Sequence, residues 1–432
     1  MIHKGSESEA GKWLGTDQRV VALGVARMAD AIGNSFLIVV MPLYIASESV
    51  TGNFLGFSES LITGLVLGLF GLVTSAFQPL AGRLSDRLGK RQLLVTVGLA
   101  LFTIVNLCYI MADTYLGLVI IRAFQGMAAA LTITASLALV SELSQPADRG
   151  HNMGVYNFFR LVGFGIGPLG SGILIDSGPY MLPVVGQIDG FVAAFLLAAA
   201  GAFVSTILVA LLVRDPEETK PSRESMSIRL WARAPDRWLD PIFTLGIATF
   251  VMSMGFALLT SIEPEINRRL SQGAFLFSVE FSILIGALAI VQPLAGNMSD
   301  RYGRKRFIVI GLLGLAPVTL MQGLVTAPWQ MILARGLQGI SAAMVFAPAL
   351  ALAGDLSDKK QVGAQLSVLS VSFALGISFG TILSGYAIRF GFLAPFAAGA
   401  VFALLGSFLV QTQVPGVRQR KKADRELAPD RP

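Results

Sequence analysis

Six side chains of this 432-residue chain carry charge inside long apolar runs: Arg27, Asp30, Arg122, Arg160, Glu280 and Arg335. A charge within a membrane is costly, so each must face a partner or an aqueous cavity and is a functional candidate by default. Arg27, Asp30 and Asn34 follow one another at three- and four-residue steps, which places them on one face of a helix; Asn157 and Arg160 do the same. With a rise of ~1.5 Å per residue, Asp30 falls ~15 Å from one boundary of a ~30 Å hydrocarbon core, and Arg122 and Glu280 each fall ~10 Å from the other. The charges gather near mid-membrane. The chemistry open to them is proton exchange and the binding of a polar solute. Burial and a nearby arginine act in opposite directions on a carboxyl's hold on its proton, so an acid between the two is poised to exchange it. Asp30, beside Arg27 and with Arg122 as a further expected neighbour, is the first candidate for proton coupling, and Glu280 is the second. A permanent Arg27–Asp30 ion pair that orients its helix is the competing reading, and Arg27 can also snorkel to the nearer surface. Four arginines against two acids make the field of the site positive, which favours an anionic or neutral solute over a lipophilic cation.

The elements that must hold these residues are membrane spans. Hydrophobic residues are 54% of the chain and charged residues only 14%, well below the roughly one quarter usual in soluble domains. Twelve apolar runs are long enough to cross a bilayer, at about 20–45, 58–81, 92–112, 115–141, 152–176, 189–213, 241–263, 273–297, 307–326, 328–354, 362–388 and 391–413. The net charge of +6 does not point to nucleic acid, because most of the Lys and Arg sit in short loops between spans, where positive charge sets topology. The basic residues recur in alternate loops, which puts both termini in the cytoplasm of a multi-pass protein of the inner (plasma) membrane. Residues 1–18 are a polar tail without a cleavable signal, and 214–240 are a cytoplasmic linker between bundles at 19–213 and 241–414. Within the linker, Ile228 to Trp238 mixes Arg with Trp and Leu, which suits either a short interfacial helix or a solvated linker with its tryptophans tucked against the bundle. A basic tail fills 415–432. The single cysteine, Cys108, excludes an internal disulfide, and with His3 and His151 as the only histidines no soft-ligand metal site is expected.

The second half repeats the first. Residues 78–91 read QPLAGRLSDRLGKR and residues 292–306 read QPLAGNMSDRYGRKR, with RAFQG at 122–126 echoed by RGLQG at 335–339 and Glu142 echoed by Asp355. An internal repeat in an apolar chain is the mark of a secondary transporter, with its solute site expected where the repeats meet. The two loops, Gly82–Arg91 and Gly296–Arg306, resemble the signature between helices 2 and 3 of the major facilitator superfamily and its echo between helices 8 and 9. The RxxQG pairs are similar to its helix-4 signature. This resemblance, over about residues 19 to 414, implies an all-α membrane protein: twelve transmembrane helices in two six-helix pseudo-repeats around a central cavity. It also implies that the loop latches the halves, with Arg87 pairing with Glu142 and Arg301 with Asp355. Gly82 and Gly89 permit a tight turn there, and Asp86, like Asp300, suits a helix N-terminus. Pure topology, positive charge kept inside, explains the arginines equally well but not the repeated aspartates.

Span 5 carries Gly154, Gly163, Gly167, Pro168 and Gly172, similar to the glycine-proline signature of the superfamily's drug:proton antiporters. Read physically, Gly163, Gly167 and Ser171 form a face that lets a neighbouring backbone come close, and Pro168 loosens the helix. Close packing without directional meaning is the plainer alternative. The resulting expectation is a transporter exporting a small organic compound in exchange for protons, needing no cofactor, with Arg27, Asn34, Asn157, Arg160, Arg335, Gln125 and Gln338 lining the solute cavity. The glutamines can equally serve only to bridge helices. The alternative is a proton- or sodium-coupled symporter or a uniporter importing a metabolite. GxxxxGK[ST] is absent, and no nucleophile-base pair stands out, so neither an ATP-driven pump nor an enzyme is expected. A monomer follows from the superfamily's usual state.

Overall fold

A computed structural model of the protein describes residues 12–13, 16–47, 49–52, 55–144, 148–183, 186–215, 230–232, 237–357 and 362–415. The expectations about His3 and the basic tail lie outside these residues. Among them are twelve helices long and apolar enough to cross a membrane. The chain runs α1 (Gln18–Ile45), α2 (Glu59–Leu88), α3 (Arg91–Cys108), α4 (Tyr115–Leu143), α5 (Arg149–Ser177) and α6 (Gly190–Leu212). It continues through α7 (Pro241–Ala257), α8 (Glu263–Leu270), α9 (Ala274–Tyr302), α10 (Arg304–Gln322), α11 (Pro328–Leu356), α12 (Val362–Ala387) and α13 (Ala394–Gln413). Polar caps start many of them. Asp17 accepts from the Arg19 N–H, Ser58 from Leu61, Thr114 from Gly117, Asp189 from Val192, and Asp240 from Ile242 and Phe243.

Two compact units divide the chain: Met1–Ser222 with Glu263–Ser282, and Arg223–Ile262 with Ile283–Pro432. In the first, α1 packs on α5 and α6, and α3 on α4 and α6. In the second, α7 packs on α12 and α13, and α10 on α11 and α13, so the repeat in sequence is a repeat in packing. Small residues make the tightest of these contacts. A Cβ on Gly163 would lie 2.3 Å from the Met28 carbonyl oxygen of α1, and one on Gly380 would lie 2.4 Å from the Met254 oxygen of α7. Gly167 and Gly376 repeat the contact, against Ile32 and Phe250. Gly172 lies against Ser278 and Ala274, whereas Gly154 has nothing within 4 Å. Hydroxyls add bonds between helices: Thr74 donates to the Gly126 carbonyl at 3.1 Å and Ser205 to the Ala26 carbonyl at 3.0 Å.

Two expectations need correction. The signature segments are not loops. α2 runs on to Leu88 and α9 to Tyr302, so Gly82, Asp86 and Asp300 are helical, and the turn is confined to Gly89 (φ 62°) and, in the repeat, Gly303 (φ 102°). The linker, where described, is neither a helix nor tucked away. Trp231 bridges to Leu239 in antiparallel fashion, and Trp231 and Trp238 are 68% and 54% exposed. Ile228, Arg229 and residues 233–236 lie outside the described residues.

Candidate functional site

The polar stripe of α1 is buried in the first unit. Asp30 is 4% exposed. The Arg27 guanidinium donates to its Oδ2, while Oδ1 receives no hydrogen bond. Arg27 therefore pairs and does not snorkel; its side chain is only 13% exposed. Across from the pair, the Tyr156 hydroxyl of α5 and Ser136 of α4 share a hydrogen bond of 2.6 Å. A narrow cavity is lined by Arg27, Asp30, Thr132, Ser136 and Tyr156. Arg27, Asp30 and Arg160 all lie near enough to Tyr156 to act on its hydroxyl. Arg160 donates to Asn157 Oδ1 at 2.9 Å, as the three-residue spacing allows. Asn34, half-buried two turns of polar stripe from Arg27, leaves its Oδ1 without a donor. One end of this arrangement is an acid with a vacant oxygen; the other is the guanidinium that the acid holds. Such a pair can trade a proton for a bound solute group.

Arg122 belongs to a different network. Its guanidinium donates to Gln125 Oε1 at 2.5 Å and lies 4.9 Å from the centre of the Phe70 ring. Gln125 in turn accepts from the Tyr109 hydroxyl at 3.1 Å and donates to Asn106 at 2.9 Å. The expected neighbourhood of Arg122 and Asp30 is thus replaced by one of Arg122 with Gln125, Tyr109 and Phe70. In the second unit Arg335 donates to Gln338 Oε1 at 2.7 Å, and Gln338 donates to the Gly255 carbonyl at 3.0 Å. The RxxQ spacing therefore makes the same arginine–glutamine bond twice, joined to side chains in one unit and to α7 backbone in the other.

The signature charges pair differently from the pattern the family suggests. Glu142 binds Arg91 at 2.5 Å, and Arg91 reaches Asp86 at 3.6 Å. In the second unit Arg304 binds Asp355 at 2.6 Å and Asp300 at 2.8 Å. Arg91 and Arg304 thus take the places expected of Arg87 and Arg301. The first residue of α3 is Arg91, so its side chain leaves the helix start just beyond the Gly89 turn, beside the last turn of α2. The acid at the N-terminus of α3 is Asp215, which accepts from the Gln92 N–H at 2.9 Å, and not Asp86. Residue type announced these triads, but which arginine closes them depends on where the turn falls.

Glu280 is fully buried near the start of α9, where its Oε1 accepts from Gln272 Nε2 at 2.9 Å. Sequence reasoning missed its companion, Glu263. Hydropathy ends span 7 there, yet the chain turns through residues 260–262 into α8, and Glu263 is fully buried with Ile266 and Leu270. The spacing of Ile262, Ile266 and Leu270 at four-residue steps was the available signal. Among the described residues no group of three His, Cys, Asp or Glu is placed to hold a metal ion.

Residues 23–261 and 245–430 match the family model of the Major Facilitator Superfamily. The chain is 24% identical over 298 residues to an uncharacterized MFS-type transporter of Methanocaldococcus jannaschii, covering 68% of this chain and 72% of that protein. It is 24% identical over 302 residues to the multidrug resistance protein MdtG of Salmonella arizonae, covering 69% and 71%. Its fold is similar to that of a bacterial homolog of the human lysosomal transporter Spinster in its inward-facing and occupied conformation (TM-score 0.74, 15% identity, 95% and 98% covered). It is also similar to that of the peptide transporter POT in complex with sulfate (TM-score 0.72, 14% identity, 93% and 95% covered). The chain is a multi-pass membrane transport protein that belongs to the major facilitator superfamily.

Proposed function

We propose that the protein exports a small organic compound in exchange for protons by alternating access, with Asp30 as the coupling acid. The observation that carries this reading is the buried Arg27–Asp30 pair, with one Asp30 oxygen unoccupied and a cavity beside it. While Asp30 is ionised it holds the Arg27 guanidinium. A solute group that donates to the vacant Oδ1 favours the ionised acid and expels its proton, and a proton returning to Asp30 removes that acceptor and releases the solute, so proton and solute occupy the site in turn. Arg160, held by Asn157, adds a second positive group near Tyr156. The multidrug name of the Salmonella relative supports export over import. The protein would act as a monomer in the inner membrane, with both termini cytoplasmic as the loop charges imply.

Liposomes holding the purified protein, a pH dye and an inward-acid gradient test this when challenged with a panel of chemically mixed compounds. The expected result is compound-dependent loss of the gradient that disappears in Asp30→Asn. Solute uptake without proton movement would leave a uniporter or a sodium-coupled carrier and end the antiport reading.

A further inference from the structure

Glu263 is a carboxyl group in an unusual position. It is wholly buried at the first residue of α8, and neither of its oxygens receives a hydrogen bond. The Asn267 amide lies one helical turn on, close enough to act on it, and the other charged groups acting on it are both acids: Glu280 from α9 and Asp176 from α5. Beyond Asp30, α1 carries no charged side chain, so that helix brings it no cation. On α8 itself Arg268 turns outward to Glu265 at 2.9 Å and is 75% exposed, and Arg269 is exposed as well. Asp176 is already engaged, accepting from the Ala274 and Phe275 N–H groups at the start of α9. Gln272, which donates to Glu280, leaves its own Oε1 without a donor.

The site therefore holds an excess of oxygen acceptors and a shortage of donors. An ionised carboxylate sealed from water, beside two more acids and with only the neutral Asn267 amide within reach as a donor, is an arrangement proteins avoid. A proton on Glu263 cancels the charge and supplies the missing donor. We propose that Glu263 and Glu280 form a second proton-binding site of this transporter, with the proton carried on Glu263. This site is separate from the Arg27–Asp30 pair and stands whether or not Asp30 couples transport. It lies on Glu263–Ser282, a strip that packs against α5 through Gly172 with Ser278 and through the Ser282 hydroxyl on the Gly165 carbonyl at 2.7 Å.

The test is infrared spectroscopy of the purified protein in detergent, which needs neither substrate nor gradient and so is independent of the flux assay. At neutral pH the wild type should show the carbonyl stretch of a buried protonated carboxyl, shifted when all glutamates are carbon-13 labelled. Glu263→Gln should abolish the band, while Asp30→Asn and Glu280→Gln retain it. A wild type with no such band, or a band that does not shift on glutamate labelling, overturns the proposal without any variant having to fold. A band that survives Glu263→Gln, or is lost only in Glu280→Gln, overturns the assignment to Glu263. Loss of the wild-type band on adding sodium at constant pH would make this a metal-cation site and overturn it equally.

Discussion

Replacing Gly163 by alanine puts a methyl carbon 2.3 Å from the Met28 carbonyl oxygen and 3.0 Å from the Ala31 Cβ. Both obstacles belong to the backbone of α1 or are fixed to it, so they cannot turn aside. Restoring ordinary contact requires α1 and α5 to separate locally by about 1 Å, enough to forfeit much of the dispersion energy along that seam. Overpacking of this kind costs about 1–3 kcal/mol. Against it stands the better helix propensity of alanine, about 1 kcal/mol. Gly154→Ala supplies the control, since nothing lies within 4 Å of that position and only the propensity gain applies. The difference between the two variants isolates the packing cost, and Gly163→Ala should be the less stable by about 1–3 kcal/mol. Gly167→Ala is the informative third case. Its methyl carbon would fall 1.9 Å from Ser35 Oγ, a hydroxyl that can rotate, and 2.8 Å from the Ile32 carbonyl, which cannot. It should be damaged less than Gly163→Ala and partly rescued by Ser35→Ala. Equilibrium unfolding in mixed micelles reads all of these variants against the wild type. Equal stability of Gly163→Ala and Gly154→Ala would refute the close approach of α1 and α5, and with it the packing account of the glycine-proline segment.

Four further perturbations follow from the charges outside the proposed transport site. Arg91→Ala breaks a pair in which the arginine is 6% and Glu142 17% exposed, and should cost about 3 kcal/mol in the same unfolding assay. Arg304→Ala should cost about 1 kcal/mol or less, as expected of partly exposed pairs; Asp355 and Asp300 are 41% and 53% exposed. Arg87→Ala should leave the midpoint unchanged, and a loss as large as that of Arg91→Ala would restore the pairing the family pattern suggests. At the start of α1, burial pushes the Asp17 carboxyl up, but the Arg19 side chain and backbone N–H outweigh it and hold the carboxyl below its ordinary value. A depressed value in the folded state means that this stabilisation is present above the unfolded value, near pH 4, and fades as pH falls through the folded one. Asp17→Ala should therefore cost about 1 kcal/mol at neutral pH and progressively less in acid; a pH-independent loss would deny the charged cap.

Much of the architecture was legible because lipid imposes a plain rule. Twelve apolar runs had to become twelve helices, and the doubled QPLAG segments marked the repeat. The stripe of Arg27, Asp30 and Asn34 was legible for the same reason, since helical spacing alone aligns them. What hydropathy could not report is where a helix stops. α2 continues through Ser85, Asp86 and Arg87 because a helix leaving the bilayer needs hydrogen bonds and no apolar surface, and only Gly89, with its left-handed backbone, ends it. That short extension displaced the expected partner of Glu142 from Arg87 to Arg91. Glu263 was hidden by the same limitation, because the polar stretch EPEINRRL reads as loop while its apolar residues fall on one helical face. Arg122 illustrates the other limit: its depth could be estimated from rise per residue, but its partners, Tyr109, Asn106 and Phe70, are set by which helices pack together.

The two signature triads also bear on how the halves of this chain have diverged. Aligned on their shared glycines, Gly89 and Gly303, the sequences place Lys90 opposite Arg304 and Arg91 opposite Lys305. Counted from that glycine the guanidinium has moved by one residue, yet it opens the next helix in both copies, Arg91 in α3 and Arg304 in α10. Each joins an acid ending one helix to an acid ending another. Lys305, standing where the first copy has its bridging arginine, ties instead to the Gln411 and Val414 carbonyls at 2.7 Å and fastens the end of α13. What the duplication has preserved is therefore an ionic connection made from the first residue of a helix, and not the distance from the turn glycine. A role counted from the shared glycine would name Lys305 for Arg91, whereas one counted from the start of the next helix names Arg304, the residue that makes the bridge.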